Sequence, residues 1–170
     1  MFASAVQTAQ APLTLAGYTD PSLIVPALRG HDAPTVIREL AGVLHREGRI
    51  TSLDSFCQAA LQREALCSTA TEPGWALPHA RVKGLASPCF AFGRCLAPMA
   101  WTVPGAPPVN LVFLLAVPEA DARAYLLLIS GLARLSKDAR LLQELLGAPA
   151  DTDIFHVLER ASVRANPAAS

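Results

Sequence analysis

Residues 109–117 read VNLVFLLAV. Asn110 is the one polar side chain in the run, so no polar face alternates with an apolar one. Such a stretch suits a central strand covered on both sides. Within and just beyond it, Leu111–Pro118 is the longest apolar run of the chain, and Tyr125–Ile129 lies nearby. Neither approaches the roughly 18 residues of a membrane span, so no membrane insertion is expected.

The elements around this strand follow from periodicity and breakers. Pro88–Cys95, PCFAFGRC, reads as a second strand. The Pro-rich stretch Pro98–Pro108 reads as the connection between the two. Further upstream, Trp75–Leu77 is a short apolar run stopped by Pro78–His79, and Cys67–Gly74, CSTATEPG, is a loop by composition. Val36, Ile37, Leu40, Val43 and Leu44 recur at helical spacing behind Asp32 as a cap and Pro34 in the first turn. They predict a helix over 33–47 with Gly48 as its stop. A second helix starts near Thr51 or Ser52, buries Leu53, Phe56, Ala60 and Leu61, and ends at Glu64–Leu66. Downstream, helices are expected over 120–135, 139–146 and 153–160, the last capped by Asp151 or Thr152. Helices, then strands, then helices predict a single α/β domain: a central mixed β-sheet flanked by helices.

Composition agrees. The chain has 170 residues, 52% apolar and 16% charged, which is one domain with a sizeable core. Fourteen basic residues balance fourteen acidic ones, so a general nucleic-acid binder is not expected. Twelve of the basic residues are Arg, which suits fork-like contact with carboxylate or phosphate and also follows from a GC-rich genome. Residues 1–13 and 163–170 read as flexible segments around a domain at 14–162. The opening MFASAVQTAQ lacks the charged start and apolar core of a secretory signal. Cys57, Cys67, Cys89 and Cys95 form no CxxC, which argues against a zinc knuckle and for reduced thiols in the cytoplasm. His31, His45 and His156 lack ligand-spaced partners, so no metal is expected. No GxSxG elbow and no nucleotide-cradling glycine loop is present, and no cofactor is implied.

Two features carry chemistry. The first is ALPHAR, residues 76–81. Pro78 pushes Leu77 toward extended geometry, so His79 is held stiffly where a strand meets a loop. A neutral imidazole is a nucleophile that can accept a phosphoryl group and pass it on. The second is Arg63-Glu64, with Arg63 sixteen positions before His79. Arg63 is suited to brace a phosphoryl oxygen by charge-assisted hydrogen bonds. On pattern alone, His79 reads equally as a core or surface histidine, and Arg63 as a C-terminal complement to the helix dipole.

With the motifs taken together, the chain resembles the IIA domains of the bacterial phosphoenolpyruvate:sugar phosphotransferase system, fructose/mannitol and nitrogen-regulatory type. The residues that carry the likeness are Arg63-Glu64, CSTATEPGWALPHARV at 67–82, PMAW at 98–101, and the strand Val109–Pro118 with its following helix. The likeness covers about residues 14–160. It implies an α/β sandwich. It also implies that His79 takes a phosphoryl group from the carrier HPr, stabilised by Arg63, with Ser68 and Thr69 offering donors nearby. The group then passes to a IIB domain, or the phosphorylation state changes binding to a regulated kinase or transporter.

Two departures stand out. Sugar-specific members carry a second histidine at the start of the helix after LLAxP, and here that position is Tyr125. Tyr can donate a hydrogen bond but carries no positive charge at pH 7. This leaves two readings: a phosphocarrier or regulatory protein, or a degenerate IIA-like binding module without phosphoryl turnover. The second departure is Trp75, bulky where the family has a small or aliphatic residue. It is expected either to pack beside the histidine loop or to cover it.

Overall fold

The computed structural model describes residues 13–102 and 104–164. In chain order the elements are β1 (Ile24–Leu28), α1 (Ala33–Arg46), α2 (Leu53–Leu66), β2 (Trp75–Ala76), β3 (His79–Val82), β4 (Cys89–Met99), β5 (Val109–Pro118), α3 (Ala122–Leu135), α4 (Ala139–Gly147) and α5 (Asp151–Arg160). Two 3₁₀ turns, Leu15–Tyr18 and Pro21–Leu23, precede β1. The strands form one mixed sheet. β4 pairs antiparallel with β5 on one side, and β1 pairs parallel with β4 beyond it. On its other side β5 pairs parallel with β2 and then with β3, which is the chain resuming after a break at Leu77–Pro78.

β5 divides the core. Val112, Leu114 and Ala116 face Val36, Ile37, Leu40 and Leu44 of α1 and Phe56 and Ala60 of α2. Leu111, Phe113, Leu115 and Val117 face Leu128 and Leu132 of α3, Leu145 of α4 and Ile154 and Leu158 of α5. Both sets are fully or nearly fully buried, so the unbroken apolar run follows from helices on both sides. The second layer is the aromatic one. Phe90, Phe92 and Trp75 surround Phe113 with ring centroids 5.6, 5.1 and 4.8 Å away.

The helix ends follow the expected chemistry. Asp32 Oδ1 accepts from the Thr35 N–H at 2.9 Å, and Gly48 takes φ +68° just beyond α1. The cap of α5 differs from expectation. The helix starts two residues early, at Asp151, and it is Asp153 that accepts from the Ala150 N–H. Past the C-terminus of α4, Arg94 on β4 donates to the carbonyls of Leu145, Leu146 and Ala148, and it also holds Pro26 of β1.

Three strand features were not expected. β1, IVPAL, contains Pro26, which an outer strand tolerates because one row of its N–H groups needs no partner. β4 continues to Met99 through a register shift between Arg94 and Met99, so the connection to β5 is shorter than Pro98–Pro108. His79 lies just beyond the short β2, as expected, but it also opens a further strand, β3, in register with Leu115.

Residues 1–12 and 165–170, most of the two segments expected to be flexible, lie outside the described residues. Leu13, Val163 and Arg164 lie within them; Val163 belongs to the packed domain, while Leu13 and Arg164 are exposed. The Val163 N–H donates to Leu13 O at 3.0 Å, and Val163 is fully buried. Among the described residues no helix is long and apolar enough to cross a membrane.

Candidate functional site

His79 stands at the first position of β3, where the Leu77–Pro78 break ends and pairing with β5 resumes. The Leu115 N–H donates to Pro78 O at 2.9 Å, which anchors the residue before the histidine to the central strand. Strand alternation sends Ala80 into the α1/α2 layer and leaves His79 on the α3 side. The ring is half-buried, and Nδ1 lies 3.0 Å from Leu77 O. A carbonyl only accepts, so this contact places the proton of a neutral ring on Nδ1. Nε2 then carries the free lone pair.

Tyr125, on the first turn of α3, lies beside this ring. The two centroids are 5.9 Å apart and the planes are tilted by 40°. Asp121 sets this position by capping α3 through the Ala124 N–H at 3.0 Å. The position expected for a second histidine is therefore next to His79 in space, and a phenol stands there.

Arg63 lies in the last turn of α2, and one of its guanidinium nitrogens donates to Cys67 O at 2.9 Å. It thus satisfies a carbonyl at the helix end, as a basic residue there can. Its hydrogen bond runs to Cys67 and not to His79.

Ser68 and Thr69 turn inward rather than toward the ring, and they meet Glu64. This carboxylate is 1% exposed. It accepts from the Thr69 N–H (2.6 Å), the Thr69 hydroxyl (2.8 Å), the Ser68 hydroxyl (3.3 Å) and the Trp101 indole Nε1–H (2.8 Å). Thr69 Oγ1 in turn accepts from the Leu77 N–H at 3.0 Å. Thr102 donates to Ser68 Oγ at 3.1 Å, so the β4–β5 connection is tied to the same loop. The loop closes on Gly74, at φ +100°, where a Cβ would meet Asn110 Nδ2 at 2.9 Å and Pro108 O at 3.0 Å. Trp75 does not cover the histidine loop; it is buried against Phe113 in the aromatic layer.

The sequence named Glu64 only as the neighbour of Arg63, and Trp101 only within PMAW. The signal for Glu64 was present. Phe56, Ala60 and Glu64 follow one another at i, i+4 spacing, which puts the carboxylate on the buried stripe of α2. Among the described residues no group of three or more His, Cys, Asp or Glu is gathered to hold a metal ion.

The family model of the phosphoenolpyruvate-dependent sugar phosphotransferase system, EIIA 2, matches residues 18–161, which includes every residue of this site. The chain belongs to that family. Among curated relatives, this EIIA chain is 30% identical over 140 residues to a nitrogen regulatory protein of Bradyrhizobium diazoefficiens, covering 81% of this chain and 90% of the relative. It is 27% identical over 133 residues to the fructose-specific EIIABC component of Bacillus subtilis, covering 78% of this chain. It spans only 21% of that longer protein. Among solved structures, the nitrogen regulatory protein IIA-Ntr of Neisseria meningitidis superposes with a TM-score of 0.72 at 25% identity, covering 85% of this chain and 98% of its own. The Escherichia coli IIA mannitol enzyme, solved in complex with phosphorylated IIB mannitol, shares the fold with a TM-score of 0.68 at 17% identity, covering 81% and 94%. The mixed sheet between two helical layers is thus the EIIA fold.

Proposed function

We propose that this EIIA chain is a phosphocarrier or phosphorylation-controlled regulatory protein whose acceptor atom is Nε2 of His79. The observation that carries the proposal is the 3.0 Å contact between Nδ1 and Leu77 O, which leaves Nε2 unprotonated in the neutral ring. The donor is a phosphohistidine on an HPr-like carrier. The Nε2 lone pair forms the new N–P bond while the donor's N–P bond breaks, its electron pair returning to the donor imidazole. No proton has to move. The positive charge that develops on the His79 ring is shared through Nδ1–H with Leu77 O.

Arg63 supplies the fixed positive charge. Release of its hydrogen bond to Cys67 O, at the rim of the same loop, would turn its planar fork of donors toward the phosphoryl oxygens. Tyr125 offers a hydroxyl beside the ring but no cation. Ser68 and Thr69 act by holding the loop. The gain of about −1.5 to −2 charges on phosphorylation is the signal that a partner reads. That partner is a IIB domain or a regulated kinase or transporter in the cytoplasm. The nitrogen regulatory relative, aligned over most of both chains, favours the regulatory role.

A second reading, a IIA-like binding module without turnover, is favoured by Tyr125 in place of a second histidine. One experiment separates the two. The chain is incubated with phosphoenolpyruvate, enzyme I and HPr, and intact mass is read at mildly alkaline pH, where phosphohistidine survives. The proposal expects one added phosphoryl group on the wild type and none on His79→Ala. An unlabelled wild type, with the same enzyme I and HPr active on a known acceptor, favours the binding module.

A further inference from the structure

A buried carboxylate connects to the reactive ring through two intermediaries. The Thr69 hydroxyl donates to Glu64 Oε2 at 2.8 Å, the Leu77 N–H donates to Thr69 Oγ1 at 3.0 Å, and Leu77 O faces His79 Nδ1 at 3.0 Å. We propose that Glu64 is a positioning residue for His79, and that it acts through Thr69 and the direction of the Leu77 backbone to keep the ring proton on Nδ1 and the lone pair on Nε2. The inference deepens the phosphoryl-acceptor reading and rests on it for its function. The tautomer itself is testable whether or not the chain is phosphorylated.

The first link strengthens the second, and the second fixes the direction of the third. A hydroxyl whose proton is held by a carboxylate is a better acceptor. The Leu77 N–H and the Leu77 carbonyl belong to two different peptide groups joined at Cα, so the next link is one of backbone direction and not of polarisation. Leu77 O is placed to accept from Nδ1–H, and a proton on Nε2 would leave this carbonyl facing a bare nitrogen. Leu77 is also bound on its N–H side, which fixes the direction of the carbonyl before the rigid Pro78. The histidine is thus oriented from a distance, as outer partners orient the ring of a metal-bound histidine.

The rest of the Glu64 environment separates positioning from simple packing. Four donors converge on the carboxylate, from Ser68, from Thr69 twice and from Trp101. Only the Thr69 hydroxyl leads on to Leu77. The Trp101 indole, at 2.8 Å, braces Glu64 from the β4–β5 connection and has no onward link to the ring. Removal of one route should change the histidine, and removal of the other should change only stability.

The test is the tautomer of His79 in the full chain, read from two-bond proton–nitrogen correlations of the ring in ¹⁵N-labelled protein above the pH at which the ring is charged. Wild type is expected to show predominantly the Nδ1–H form. Glu64→Gln, which puts an NH₂ donor where an acceptor stood, and Thr69→Val, which keeps the shape and loses the hydroxyl, are both expected to raise the Nε2–H fraction. Both should slow phosphoryl acceptance from HPr by roughly tenfold or more. Trp101→Phe is expected to lower Tm and retain the wild-type tautomer. If Glu64→Gln does not fold, Thr69→Val carries the test alone. An unchanged tautomer in folded Thr69→Val overturns the proposal. So does an equal shift in Trp101→Phe, which would mean general loosening of the loop. Failure of the wild type to accept phosphoryl, with the tautomer shifting as described, would overturn the phosphocarrier reading and leave the positioning role standing.

Discussion

His79 and Tyr125 face each other across the end of the sheet, their ring centroids 5.9 Å apart and their planes tilted by 40°. β3 and α3 are separated in the chain by residues 83–121, yet they bring the two residues together because β5 pairs with β3 and leads directly into α3. The pair consists of one titratable nucleophile and one neutral hydroxyl. If a cation at position 125 would help the transferring phosphoryl group, Tyr125→His should accelerate labelling from HPr. The expected gain is up to the roughly 100- to 1000-fold assigned to one charge-stabilising donor. Rapid-quench labelling of the two proteins measures it, and equal rates would mean that Tyr125 already supplies what the site needs.

Arg94 is the link between the sheet and the second helical layer. Its guanidinium donates to Leu145 O, Leu146 O and Ala148 O at 3.0, 3.1 and 2.6 Å, and its Nε donates to Pro26 O at 3.0 Å. Charged donors on the carbonyls at the end of a helix answer both its dipole and its unpaired acceptors. Arg94→Met keeps the stem and loses every one of these bonds. It should destabilise the chain by about 2–4 kcal/mol in urea denaturation, with little effect on the geometry around His79.

Tyr18 points the other way. It is 3% exposed, and its hydroxyl has no hydrogen-bond partner among the described residues. Burial pushes the phenol above its usual range. A buried polar atom without a partner costs free energy that a hydrogen atom in its place does not. Tyr18→Phe should therefore be as stable as wild type or more stable, by up to about 1 kcal/mol, measured by the same denaturation.

The cysteines predict a reactivity order. Burial pushes the thiols of Cys89 and Cys95 from 9.0 up to about 11 and raises that of Cys57 as well, whereas Cys67 is exposed. Near pH 8 Cys67 alone should react quickly with a thiol reagent, the other three only on unfolding. Stability also depends on pH. Between pH 9 and 11 the unfolded chain loses the Cys89 and Cys95 protons while the folded chain keeps them, so stability falls as pH rises through that window and is intact below it. Each thiol corresponds to roughly 3 kcal/mol at most. A Tm series from pH 8 to 11 checks the sign, and the Cys89→Ala variant should show a shallower decline.

Most of the fold was legible because its elements are strongly patterned. β5 announced two covered faces, and α1 carried both its cap and its Gly48 stop in the sequence. β1 and β3 were not legible. They are short and contain or follow a proline, and only pairing with β4 and β5 makes them strands. The ring of His79, its neighbour Tyr125 and the loop at Ser68–Thr69 were reachable through spacing and resemblance. The direction in which Ser68 and Thr69 point was not, because it depends on a carboxylate and an indole 37 positions apart meeting beneath the loop.

The most direct test of the account is the atom that carries the phosphoryl group. The chain, ¹⁵N-labelled at histidine, is phosphorylated through enzyme I and HPr, and its ring nitrogens are followed by heteronuclear NMR at mildly alkaline pH. Phosphorus–nitrogen coupling is expected at Nε2 of His79, with Nδ1 still protonated and bound to Leu77 O. Attachment at Nδ1, attachment at any other residue, or no attachment at all would contradict it.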